Sequence, residues 1–217
     1  MKILGGLLSP FVMRAVLVAR MKGHEIAVEM PEGGIKSEAY LRLNPFGKMP
    51  TLLDGDFALP ESAVIAEYLE EVLDGPPLLP ADARGRARVR LLARAADLYL
   101  APALTPIFRA REAPEAVPQA LDMLGAVLGQ LEALRGADSA HAAGEAPTLA
   151  DAALMPVFFF LDAFDRPHGT ARLLAEKAPR LAAWWARARE TEAGRRMVAE
   201  MAEALSAFRE SRLRAAS

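Results

Sequence analysis

Three prolines and a glycine fall between Asp74 and Pro80, in the stretch "DGPPLLP", and neither a helix nor a strand runs through such a segment. The residues on its two sides follow different rules. Before it, apolar runs with the two-residue period of a strand alternate with runs at helical spacing. After it only helical spacing remains, β-branched residues become scarce, and alanine and arginine become frequent. The 217 residues suffice for one large domain or two small ones. The expected division is an α/β domain at 1–75, a linker at 76–82 and an all-helical domain at 83–217.

Within the first part, "KILGGLL" (2–8) reads as a short buried strand. At Ser9-Pro10 the spacing becomes helical, with Val12, Val16, Ala19 and Arg20 recurring on one face, and Gly23 marks the end. "EIAVEM" (25–30) alternates as a strand, and "SEAYLRL" is a short helix. "TLLDGDFAL" is a hairpin around Asp54-Gly55, and "ESAVIAEYLEEVL" is a helix with Ala63, Ile65, Ala66 and Leu69 inward. The order β-α-β-α-β-β-α describes a compact unit with a mixed sheet. Beyond the linker the expected helices are 83–111, 114–136, 148–164, 170–190 and 192–213.

Composition removes several kinds of chemistry. The chain has no cysteine, so disulfides, thiolate metal sites and a protein-borne thiol nucleophile are excluded. His24, His141 and His168 stand apart without ligand spacing, and no metal is expected. Residues 1–80 carry 7 basic and 11 acidic side chains and the remainder 19 and 17, so neither part has a nucleic-acid footprint. Five arginines crowd into 84–94, but no aromatic residues interleave with them, and the readings that remain are pairing with Glu67, Glu70, Glu71 and Asp74 of the preceding helix or a plain solvated face. The opening stretch imitates a signal peptide, yet Pro10, Arg14 and Arg20 interrupt it. No membrane span is expected, and the cytoplasm is the expected location.

"NPFGKMPTLLDGDFALPES" (44–62) sets a different problem, since Pro50 stands directly before a strand and cannot donate to a ladder. With "SPFVMR", "LPESAVIAEYLEE", "PPLLP" and "PTLADAAL", this stretch makes the chain resemble the cytosolic glutathione S-transferases along nearly its whole length. The resemblance implies a thioredoxin-like N-terminal domain that binds glutathione and a helical bundle that supplies the second substrate's pocket. It also implies that Met49-Pro50 is cis and that the Met49 backbone pairs with the cysteinyl unit of glutathione, which is strand addition at an open edge.

Other roles follow from the same resemblance. Ser62 and the N–H groups beside it would take the γ-glutamyl carboxylate, and Glu61 the γ-glutamyl amine. On physical grounds alone this helix start is an anion site with or without a ligand. Lys48 and Lys36 are candidates for the glycyl carboxylate. Ser9 lies where the first strand gives way to the first helix, so a hydroxyl and a helix dipole favour a thiolate held there. A plain helix cap is the alternative. Phe11, Tyr99 and Phe108 are assigned to the electrophile pocket, while Phe158, Phe159, Phe160, Trp184 and Trp185 are core residues. Thr148 and Asp151 form a structural N-capping arrangement.

The expected activity is thiolate attack on, or isomerisation of, a small hydrophobic electrophile. Glutathione serves as co-substrate, no further cofactor takes part, and a homodimer acts in detoxification. Some branches of the family have a catalytic tyrosine or cysteine where this chain offers Gly5, Gly6, Leu7, Leu8 and Ser9. The alternative is a non-catalytic member that acts by binding, as stringent-starvation and elongation-factor relatives do.

Overall fold

The computed structural model describes residues 1–136 and 138–216. Four strands form one sheet in the order β2-β1-β3-β4, with β1 at Lys2–Leu4, β2 at Ala27–Glu29, β3 at Thr51–Asp54 and β4 at Phe57–Pro60. β1 is parallel to β2 and antiparallel to β3, and β3 is antiparallel to β4. Helices α1 (Pro10–Met21), α2 (Glu38–Leu43) and α3 (Ser62–Val72) complete the expected βαβαββα order. Ile3, Val12, Val16, Leu17, Leu52, Ile65 and Leu69 are buried in this unit, and α1 packs on α3.

The strands are shorter than the apolar runs that announced them. β1 stops at Leu4 instead of Leu8 because the chain bends at Gly5 and turns at Leu7-Leu8. A β-carbon on Gly5 would lie 2.5 Å from Val12 Cγ2, so the packing of α1 leaves no room for a side chain there. The hairpin turns at Gly55 with φ +61°, a conformation glycine adopts without strain.

The second unit spans Leu78–Thr191. One continuous helical stretch opens it, made of α4 (Ala83–Ala95), a π turn (Ala96–Leu100) and α5 (Ala101–Phe108). A single regular helix over 83–111 was expected. Pro102 explains the wide turn, since it removes a donor and crowds the carbonyl of Leu98 four residues earlier, which a wider turn relieves. By length and composition this stretch could cross a membrane. Its Val89, Leu92, Leu100, Leu104 and Ile107 are nevertheless buried inside the chain, as in the core helix of a globular unit.

A 3-10 turn (Pro114–Ala116) leads into α6 (Val117–Arg135), and α7 follows at Leu149–Ala163. The expected helix over 170–190 is two helices, α9 (Thr170–Lys177) and α10 (Pro179–Ala188), broken by Pro179, with a short α8 (Asp165–His168) before them. α7 is buried nearly all round and packs on α4, α9 and α10. Phe158 meets Trp184 edge-on at 5.2 Å, which bears out their reading as core.

At the start of α7, Asp151 is 1% exposed and collects donors. Its Oδ1 accepts from the Ala142 N–H (2.8 Å) and Trp184 Nε1 (3.0 Å), and its Oδ2 from the Thr148 N–H and hydroxyl (both 2.9 Å). Burial acts to raise its pKa, but hydrogen bonds from His141, Ala142 and Thr148 outweigh that and hold it below the usual carboxylate range. The expected capping box is present.

The last helix, α11 (Glu192–Ala216), differs from the expected division, which gave all of 83–217 to the helical domain. Of that span, positions 137 and 217 lie outside the described residues. α11 belongs to the first unit with Met1–Pro77, for two reasons. Met197, Met201 and Leu205 recur at four-residue spacing and are buried, and α11 packs on α1. Charges add to this: Arg20 Nη1 and Nη2 meet Glu200 at 2.7 and 2.8 Å, and Arg196 reaches both Glu200 (3.1 Å) and Glu25.

Two tests follow from these charges. Asp151→Ala leaves the Ala142, Thr148 and Trp184 donors without their acceptor, and chemical denaturation should record a loss of about 3–5 kcal/mol. The pKa of Glu25 is lowered, first by its hydrogen bond from Arg196. Burial acts to raise that of Glu200, but Arg20 and Arg196 outweigh it and lower it. A carboxylate lowered in the folded state stabilises above its unfolded pKa, about 4.3, and that contribution fades as pH falls through the folded value. Thermal melts should therefore show wild type losing stability below about pH 4.3 more steeply than Glu200→Gln does.

Candidate functional site

Ser9 caps α1 with extended backbone (φ −71°, ψ 122°), and its Oγ accepts from the Val12 N–H at 3.4 Å. That bond uses a lone pair and leaves the hydroxyl hydrogen to donate elsewhere. The Ser9 N–H donates to the Gly6 carbonyl at 3.0 Å, and the Gly6 N–H donates to Met49 Sδ at 3.4 Å. Gly6 therefore ties the turn that carries Ser9 to the segment that carries Met49.

The Met49–Pro50 peptide is cis. Registered pairing of β3 begins at Thr51, opposite Leu4 and Pro60, so Met49 lies just outside the ladder. A closed set of hydrogen bonds fixes the residue before it. Tyr40 Oη donates to the Lys48 carbonyl (2.6 Å), Asn44 Nδ2 donates to the same carbonyl (2.7 Å), and Asn44 Nδ2 also donates to Thr51 Oγ1 (3.0 Å). Tyr40 Oη and Thr51 Oγ1 are 2.9 Å apart. Because the tyrosine hydrogen goes to a carbonyl, which only accepts, Thr51 must be the donor in that pair. Asn44 Oδ1 takes the Phe46 N–H at 3.1 Å, so both ends of this amide are engaged.

Across the hairpin, Glu61 adopts φ +72° and ψ 105° at the N-cap of α3. A non-glycine residue there costs about 1–3 kcal/mol, and such strain concentrates at ligand sites. Its side chain is exposed and makes no capping bond. Ser62, the first residue of α3, is buried, and its Oγ accepts from Arg14 Nη1 at 3.3 Å. Arg14 itself is 2% exposed, with its guanidinium 5.9 Å from the centroid of the Phe11 ring. The start of a helix is in itself a place for an anion.

Lys48 and Lys36 are both exposed. A β-carbon on Gly47 would lie 2.9 Å from Lys36 Nζ, so the glycine-rich loop does bring Lys36 against the residue preceding Lys48. Met49 and Pro50 thus lead into β3, Glu61 and Ser62 follow β4, Ser9 is joined to Met49 through Gly6, and Phe11 is the second residue of α1. Tyr99 and Phe108 belong to the helical unit. Both keep exposed ring surface, and Phe108 packs edge-on against Phe160 (5.8 Å) and Phe164 (6.0 Å). Among the described residues, no group of three or more His, Asp and Glu side chains is placed to hold a metal ion. Of the carboxylates expected to pair with the α4 arginines, Glu70 meets Lys22 at 2.9 Å, and Arg94 lies 3.8 Å from Asp97.

Four residues of this site were missed in the sequence: Arg14, Tyr40, Asn44 and Thr51. Only Arg14 left a signal, as a lone charge inside the apolar run "FVMRAVLV" of a helix.

Residues 5–77 match the family described as "Glutathione S-transferase, N-terminal domain", and residues 95–192 match "Glutathione S-transferase, C-terminal domain". A probable glutathione S-transferase of Nicotiana tabacum is 30% identical over 84% of this chain and 81% of its own length. The chain belongs to the glutathione S-transferase family. As a member of that family it is a transferase. The crystal structure of the Tau class glutathione S-transferase MiGSTU from mango, Mangifera indica, superposes with a TM-score of 0.80 at 29% identity, covering 96% of each chain. A stringent starvation protein A homolog of Pasteurella multocida is 37% identical, over 46% of this chain and 48% of its own.

Asn44→Ala removes two donors to buried acceptors and the acceptor of the Phe46 N–H. Denaturation should show a loss of about 1–3 kcal/mol, and calorimetry a weakened affinity for glutathione as the Lys48–Met49 backbone loses its fixed position.

Proposed function

We propose that the protein binds glutathione along Met49, Glu61 and Ser62 and activates its thiol at Ser9 for attack on, or isomerisation of, a small hydrophobic electrophile. The link through Gly6 carries this reading, because it ties the Ser9 turn to the segment where a cysteinyl unit paired with the Met49 backbone would lie. In the proposed complex the γ-glutamyl carboxylate meets the N–H groups at the start of α3 and the Ser62 hydroxyl, with the buried Arg14 behind it. The γ-glutamyl amine meets the exposed carboxylate of Glu61. Lys48, with Lys36 beside it, takes the glycyl carboxylate.

The chemistry asked of Ser9 is modest and specific. The free thiol, with a pKa of about 8.5, is mostly protonated at neutral pH. A hydroxyl donor and the positive end of α1 both favour the thiolate, which then attacks the electrophilic carbon. Phe11, Tyr99 and Phe108 are the aromatic side chains assigned to the electrophile. Glutathione is the co-substrate, and the reaction proposed needs no cofactor or metal.

A homodimer working in the cytoplasm in detoxification completes the proposal. What supports a dimer is opposite charge beside exposed apolar side chains: Val64 and Val72 with Glu71 on α3, and Leu91 with Arg88 and Arg94 on α4. The second reading is a non-catalytic glutathione-binding member, favoured by the likeness to the stringent starvation protein A homolog.

Ultraviolet difference titration of bound glutathione separates the two readings. Wild type should show a thiolate forming well below the free value. Ser9→Ala should raise that pKa and slow conjugation roughly ten- to a thousandfold, with glutathione affinity little changed. Identical titration curves remove Ser9 as the activating group. No thiolate in wild type supports the binding reading.

A further inference from the structure

The chain has nine methionines and no cysteine, so a hydroperoxide that reaches it finds thioethers as its only protein sulfur. Two of these thioethers flank Gly6. Met49 Sδ accepts the Gly6 N–H at 3.4 Å. On another side, a β-carbon on Gly6 would lie 3.3 Å from Met30 Sδ, so the Met30 sulfur fills the space a side chain at residue 6 would take. Gly6 in turn accepts the Ser9 N–H. The two sulfurs differ in access: Met30 is 58% exposed, whereas Met49 is half-buried with its sulfur already engaged.

We propose that Met30 is an oxidative modification site, and that its conversion to the sulfoxide loosens the Gly6–Ser9 turn and so lowers thiol activation. The sulfur lone pair attacks the terminal oxygen of a hydroperoxide. An S–O bond forms as the O–O bond breaks, and the proton on the attacked oxygen passes to the departing oxygen, which leaves as an alcohol, or as water from hydrogen peroxide. The sulfur loses two electrons and the peroxide gains them. A flexible apolar cover over Gly6 becomes polar and is drawn toward solvent. The turn is then held on its sulfur side by Met49 alone. Reduction of the sulfoxide reverses the change.

The effect on catalysis rests on the reading of Ser9 given above, so the test has one readout that depends on that reading and one that does not. The full chain and Met30→Leu, which keeps the apolar cover without an oxidisable sulfur, are treated with hydrogen peroxide and mapped by peptide mass spectrometry. Amide hydrogen exchange over residues 5–13 and glutathione conjugation are then measured against each protein's own untreated sample. In wild type, Met30 should gain one oxygen, exchange over the segment should rise, and conjugation should fall several-fold. Methionine sulfoxide reductases should restore both. Met30→Leu should keep its exchange and its activity. Complete oxidation of Met30 with unchanged exchange overturns the proposal, as does an equal loss in Met30→Leu. Untreated wild type that conjugates no electrophile defeats the reading of Ser9, while the exchange comparison still decides whether Met30 governs the turn.

Discussion

Because Gly6 donates to the Met49 sulfur and accepts from the Ser9 N–H, two segments more than forty residues apart in sequence act as one surface. The arrangement needs a chain that can come close. Gly5 supplies this next to Val12, where no β-carbon fits, and β1 ends early so that the backbone can turn there. The hydrogen-bonded set of Tyr40, Asn44 and Thr51 anchors the other side at the Lys48 carbonyl. Each tie is individually weak, about 1 kcal/mol net for an ordinary hydrogen bond. Together they fix a position rather than supply a large stability.

The two ends of α1 serve different purposes with the same physics. At its start, the Ser9 cap lies at the positive end of the helix dipole, in a half-buried place. One turn further in, the buried Arg14 adds a full charge and donates to the Ser62 hydroxyl. Near its far end, Arg20 meets Glu200 of α11, which holds the last helix against the sheet unit. α1 is thus both a wall of the candidate site and the seat of the C-terminal helix.

Much of this was legible in the sequence, and the parts that were not have physical reasons. Element order survived because it depends on periodicity and on turn residues such as Asp54-Gly55, which act locally. The ends of β1 and β2 did not, because apolar character continues past the last ladder bond. Pro102, Pro106 and Pro179 were visible as helix breakers, yet helical spacing on both sides hid what they do. α11 was assigned by neighbourhood in sequence, whereas its Met197–Met201–Leu205 stripe and its charges choose their partner in space. In the site, Ser9, Met49, Glu61 and Ser62 were reached through motif resemblance. Asn44 and Tyr40 were not, since a buried hydrogen-bond ring has no linear pattern.

The π turn at Ala96–Leu100 has one more consequence, which concerns angle rather than stability. A five-residue turn inserts one residue's worth of rotation, about 100°, into an otherwise regular helix. The arginine-bearing face of α4 and the Phe108 face of α5 are therefore out of phase by that amount, compared with simple counting along the chain. The turn works as a fixed offset between two halves of one rod, letting one face carry charge while the other aims an aromatic ring at Phe160 and Phe164. Loss of a single residue here would close the wide turn to a regular one and leave Phe108 facing its aromatic neighbours.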